Sequence, residues 1–211
     1  LPTEFERQVS VFVRLGYPAL AGLDPAAFRE LFQPIGRALD AAGDASSGEL
    51  ALVVTRALIA PERRVPLLAL PGSNKAGIVD KNHFTDALPG LSAYAPLPGL
   101  SLPASSVYAL LGVDRGDEFR NVVPEKAVET LAARGRTPLT IDEGISLLAV
   151  HPALLEKNHC FMLAGSERGG GDRRMPALWI SDGAPKLGWC YKGNPHGWLG
   201  VASTALRMGP L

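Results

Sequence analysis

Residues 175–191 read MPALWISDGAPKLGWCY. Two runs, Met175–Ser181 and Leu187–Tyr191, flank Asp182-Gly183. The runs are rich in aliphatic and aromatic side chains, and Asp-Gly tolerates the positive φ angles of a tight turn. The stretch therefore predicts a β-hairpin. Its register decides which side chains share a face. A four-residue loop, Asp182–Pro185, sets Ala177 opposite Cys190 and puts Trp179 and Cys190 on one face. An odd loop sets Ala177 opposite Trp189 and puts both tryptophans together.

Upstream of the hairpin, Ser166–Arg174 (SERGGGDRR) reads as a glycine-rich connection and His159–Ala164 as a strand. Thr140-Ile141-Asp142-Glu143 is a capping box that opens a helix to about Val150. Pro124–Ala133 predicts another helix, with Pro at its start and Gly135 beyond its end. Ser106–Val113, Leu50–Ile59 and Arg63–Leu70 read as strands. The segment between Pro71 and Pro103 is a long Pro/Gly/Ser-rich coil with a short strand at Gly77–Asp80. The first 45 residues read as helices. Thr3-Glu4-Phe5-Glu6 is a capping box, Phe5, Val9, Phe12 and Val13 form one stripe, and Gly16 ends the helix. Asp24-Pro25 starts a second helix, and a third runs to about Ala42.

Helices followed by mixed elements, without regular βαβ alternation, predict an α+β fold. N-terminal helices pack on a mixed, mainly antiparallel sheet that ends in the hairpin. The chain reads as one unit, residues 1–211, with a helical segment 1–45 and a sheet-containing body 46–211. The 211 residues carry 21 basic and 21 acidic side chains, and 46% are hydrophobic. That composition excludes disorder, and zero net charge argues against a nucleic-acid partner. No apolar run reaches the length of a membrane span, so no membrane partner is expected. The start of the chain carries Glu4, Glu6 and Arg7 where a secretion signal needs apolar residues. Two cysteines make no disulfide framework, and a cytoplasmic location is the expectation.

Three segments share a distinctive look: WISDGAPKLGWCYKGNPHGWLGVAS (Trp179–Ser203), TPLTIDEGI (Thr137–Ile145) and LEKNHCF (Leu155–Phe161). With FERQVSVFVRLGYPALAGL (Phe5–Leu23), they resemble an actinobacterial family of uncharacterised proteins of about this length. The resemblance implies a bacterial origin and a single compact unit. It carries no catalytic residue with it.

The residues themselves offer two function classes, of which the first is preferred because several polar groups cluster around one short C-terminal motif. In the first, an enzyme acts on a small polar metabolite through Cys190 and His196. Lys192-Gly193-Asn194-Pro195 has turn composition, and a reversal near Gly193 sets sulfur and imidazole opposite each other. His196 then serves as base, Lys192 favours thiolate, and Asn194 orients the imidazole or donates to an oxyanion. In the second class, a non-catalytic protein binds or sequesters a small molecule in a pocket lined by Trp179, Trp189 and Trp198. It expects Cys190 to be a small core residue. Lys192, His83 and Arg56 are further candidate ligand contacts. Arg56 lies in an apolar run and needs a carboxylate, with Asp80, Asp114 and Asp142 available. Asp80 and His83 offer two metal ligands from one loop, but no third is in view, so no metal is expected. The sequence names no cofactor and no oligomeric state.

Overall fold

The computed structural model describes residues 2–43, 49–84 and 90–210. Four helices open the chain: α1 (Pro2–Arg14), α2 (Tyr17–Ala21), α3 (Pro25–Glu30) and α4 (Gln33–Ala42). The side chain of Thr3, on which the proposed capping box rests, is outside what is described, and α1 already begins at Pro2. Gly16 ends α1 with φ at 83°. The Asp24 carboxylate accepts from the Ala26 and Ala27 amides and caps α3. Phe12, Tyr17, Phe28 and Phe32 pack ring against ring between these helices.

The predicted strands divide between two main sheets. The first has the order β1 (Ala51–Val54), β4 (Val107–Leu111), β12 (Leu206–Met208), all antiparallel. The second has the order β10 (Leu199–Val201), β6 (Cys160–Met162), β8 (Arg174–Ser181), β9 (Ala184–Tyr191), β2 (Ile78–Val79). Its outer pairs are parallel and its inner pairs antiparallel. Two short pairs join the bodies of the sheets. They are β11 (Ser203–Thr204) with β5 (Thr137–Pro138), and β3 (Ala95–Pro96) with β7 (Ser166–Glu167). Helices α5 (Pro61–Arg64), α6 (Pro124–Ala133) and α7 (Ile141–Val150) complete the elements, and the fold is α+β.

Helix α7 is buried along its whole length and packs on β1. Its Thr140–Glu143 capping box is formed in both directions. Strand β1 lies at a sheet edge, yet its outward backbone groups are paired by side chains. The buried Gln8 amide donates to the Leu50 carbonyl and accepts from the Leu52 N–H, both at 2.8 Å. The Ser146 hydroxyl accepts from the Val54 N–H, and its single proton lies between the Asp142 carbonyl at 2.8 Å and the Val54 carbonyl at 3.2 Å. Two helices thus dock on the edge by completing its hydrogen bonds.

Two expectations require correction. The run from Leu50 to Ile59 is a strand only from Ala51 to Val54. The chain turns at Thr55, whose carbonyl accepts from Leu58 and Ile59, while the Arg56 N–H goes to a carboxylate instead of a ladder. Arg63–Leu70 is not a strand but the end of α5 and a 3-10 turn, Val65–Leu67. Pro61 fits the first helical turn, and the helix swings Arg64 inward to full burial.

Candidate functional site

The C-terminal hairpin closes on a two-residue turn. Asp182 and Gly183 both have positive φ, 52° and 75°, as a right-twisted hairpin requires. Ala177 therefore faces Gly188, one pair short of the four-residue expectation. The parity is that of an even loop, so Trp179 and Cys190 share a face and Trp189 lies on the other. The chain then reverses through Tyr191–Asn194, with the Asn194 N–H on the Tyr191 carbonyl.

That reversal does not activate the thiol. Burial pushes the Cys190 pKa up to about 11, and no opposing charge lowers it. No hydrogen bond joins it to His196, whose Nε2 is buried without a partner. Burial also pulls the His196 pKa down, and the Tyr191 carbonyl only partly opposes this. The ring stands edge-on to Trp198, centroids 6.0 Å apart. Lys192 reaches Glu125 at 3.7 Å, and Asn194 is exposed. The other thiol, Cys160, is buried and donates to the Glu156 carbonyl.

The aromatic residues form a run of ring contacts across the edge of β9. Tyr191 meets Trp189 at 5.3 Å, Trp189 stacks on His83 at 4.5 Å, and His83 meets Trp179 at 5.8 Å. Trp179 then meets Trp198 at 6.2 Å. His83 holds the strand edge: its Nδ1 accepts from the Trp189 N–H at 3.0 Å, and its carbonyl accepts from the Trp189 indole at 2.9 Å. The accepting Nδ1 assigns the proton of the neutral ring to Nε2, which lies 4.0 Å from Asp80. Burial lowers the His83 pKa, partly countered by Asp80. Asp80 itself is paired with Lys186 at 3.0 Å. Among the described residues no three metal-ligating side chains gather. These rings pack on each other, and the cavity described next has other walls.

Arg56 leads to a different place. Its Nε donates to Asp142 at 2.9 Å and its Nη1 to the Tyr94 carbonyl at 2.7 Å. Arg64, with no exposed surface, holds the other Asp142 oxygen and the Val54 carbonyl. One residue on, Glu143 is fully buried and receives Arg207 through Nε at 2.6 Å and Nη2 at 2.9 Å. Tyr108 donates to the same carboxylate at 2.8 Å, and burial beside that charge raises its pKa strongly. Three guanidiniums thus meet two carboxylates at the start of α7. One positive charge is left over. Tyr17 and Arg64 also keep a buried hydroxyl and a buried Nε without partners.

A cavity of about 450 Å³ opens beside this network. Its polar lining is Thr55, Arg56, Ser105, Ser106, Tyr108, Thr140, Asp142 and Ser166. The coil of Pro96, Leu102, Pro103 and Ala104 forms an apolar wall. The hydroxyl of Ser166 accepts from the Ile141 N–H, and that of Thr140 from the Glu143 N–H. Neither has an acceptor for its own proton among the described residues. The Thr55 hydroxyl is buried with no partner at all. Of the sequence candidates only Arg56 lines this cavity. The ion-pair network beneath it has one signal in the sequence. The first turn of α7 is acidic, and the following ISLLAV has almost no polar face. A helix of that kind is buried, so its carboxylates need buried cations.

Fold and site together define an α+β protein with a donor-rich cavity over a buried arginine–carboxylate network. The chain belongs to DUF5701, a family of unknown function, whose pattern spans residues 11–210. No curated protein matches the chain, and no solved structure does.

Proposed function

We propose that this protein binds a small molecule without transforming it, and that the cavity over the start of α7 is the binding site. The observation that carries this reading is the surplus of donors on one wall. Thr140 and Ser166 have hydroxyl protons without acceptors, and the Arg56 Nη2 is not used by its ion pair. A wall of this kind recognises an acceptor. The volume of about 450 Å³ is within the usual range of small-molecule pockets. The enzyme reading through Cys190 has less behind it, because the thiol is desolvated and has no base. A protein-docking role also has little behind it: Ile78, Tyr191 and Leu206, the large exposed apolar residues among those described, lie on three different strands. The reading takes residues 1–211 as one unit. The two free thiols suit a reducing compartment, with the cytoplasm as the expected one.

The test is a thermal-shift screen over nucleotides, sugars and acyl compounds, run on the native chain and on Ala104→Trp. Ala104 is exposed on the cavity rim, so the indole blocks the opening with little cost to folding. A ligand of the native state raises Tm. Hits that vanish in Ala104→Trp are expected. Hits that survive the substitution, or an empty screen, refute the assignment.

A further inference from the structure

We infer that the ligand of this cavity is an amphiphilic monocarboxylate: one carboxylate on a short aliphatic body. The inference rests on the binding reading above and adds the chemical class. Four observations lead to it.

The first is charge. Arg56, Arg64 and Arg207 face Asp142 and Glu143, and the hydrogen bonds tie all five into adjoining pairs. The excess is a single positive charge. A single anion neutralises it, whereas a phosphate dianion or a dicarboxylate leaves the site negative. The second is the donor count. Ser166 and Thr140 are 3% and 4% exposed, so their unclaimed protons cannot turn to bulk solvent easily. A carboxylate offers two oxygens with about four acceptor positions and no proton to compete with these donors.

The third is the form of the partly exposed cation. Arg56 lines the cavity, is fixed through Nε and Nη1, and has a side chain 32% exposed, with Nη2 outside these bonds. A guanidinium so held is preorganised for a carboxylate oxygen. The fourth is the opposite wall. Pro96, Leu102, Pro103 and Ala104 present hydrocarbon and no side-chain donor. A wholly polar ligand would leave that surface wet, whereas an aliphatic body covers it.

The experiment is calorimetric titration of the full chain with the straight-chain carboxylates from acetate to octanoate. The matched primary amides and inorganic phosphate are titrated at the same ionic strength. Carboxylate affinity is expected to rise about four-fold per methylene until the apolar wall is covered. The amides should bind at least ten-fold more weakly, and phosphate should give no heat above dilution. Arg56→Gln should erase the preference for carboxylate over amide. Because Arg56 also holds Asp142, Ala104→Trp is the second variant. It leaves the ion pairs intact, and should abolish carboxylate binding with Tm of the free protein unchanged.

Amides equal to carboxylates, or phosphate stronger than both, overturn the class and leave the cavity reading standing. Silence of all these probes, with other compounds binding in an Ala104→Trp-sensitive way, does the same. Silence of the probes together with an empty screen overturns both readings.

Discussion

Replacing Asp142 by Asn removes one charge and almost no volume. The native carboxylate holds two guanidiniums in very different surroundings. Arg56 keeps a third of its side chain in water, so its half of the pair contributes at most about 1 kcal/mol. Arg64 has no exposed surface, and its loss of a counter-charge leaves a buried cation unpaired. Breaking a buried pair in that way costs about 3–5 kcal/mol. The Asn amide adds a donor facing a donor. The total is a large share of the roughly 5–15 kcal/mol that holds a domain folded. For a chain of this length it corresponds to a Tm lower by roughly 6–24 °C. Denaturant unfolding and calorimetry measure it directly. The paired variant Arg64→Met/Asp142→Leu should recover most of the loss, since an apolar pair of similar volume needs no counter-charge. A loss below about 1 kcal/mol for Asp142→Asn, the value of an exposed pair, would refute the buried network on which the site is built.

With a thiol near 11, about one Cys190 in ten thousand is ionised at pH 7, so native labelling by iodoacetamide should be slow at both cysteines. Fast labelling of Cys190 that His196→Ala slows would restore the catalytic reading. The His83 pKa is depressed by burial, so the unfolded chain binds its proton first as pH falls. Stability is full above the unfolded value near 6.5 and is lost as pH falls from there toward the lower folded value; His196 adds a loss of the same sign. His83→Asn keeps an acceptor for the Trp189 N–H and should flatten the urea-measured slope between pH 7 and 5; an unchanged slope assigns the loss elsewhere. Gly188→Ala drives a methyl into the Trp179 ring and sets it 2.6 Å from His83 Nδ1. It should cost about 1–3 kcal/mol and shift the tryptophan emission, and a neutral result would mean the rings give way freely.

Local signals in the chain were read well where the chemistry is local. Asp182-Gly183 fixes the hairpin turn, Asp24 caps α3, and Thr140 with Glu143 opens α7. The strand proposed at Gly77–Asp80 is β2. Expectations departed from the structure where distant groups decide. Nothing in LALVVTRALI shows that Asp142, some ninety residues on, takes the Arg56 N–H and ends the strand after Val54. Helix α2 leaves little periodic signal because Gly16 and Gly22 bracket only five residues. The Trp-rich motif drew attention as a pocket, yet its rings stack along a strand edge and on His83, a residue over a hundred positions away. The cavity wall combines Thr55, Tyr108, Thr140 and Ser166, four unremarkable residues that only the fold brings together.

The side-chain seal along β1 ties the fate of the first helices to the solubility of the whole chain. Gln8 occupies the positions that another strand would use on Leu50 and Leu52, and Ser146 occupies those on Val54. A protein clipped before residue 16 would lose the first of these plugs. Its Ala-Leu-Val-Val ribbon would then offer bare amides to any neighbouring copy, and clumping of the truncated form should precede its unfolding.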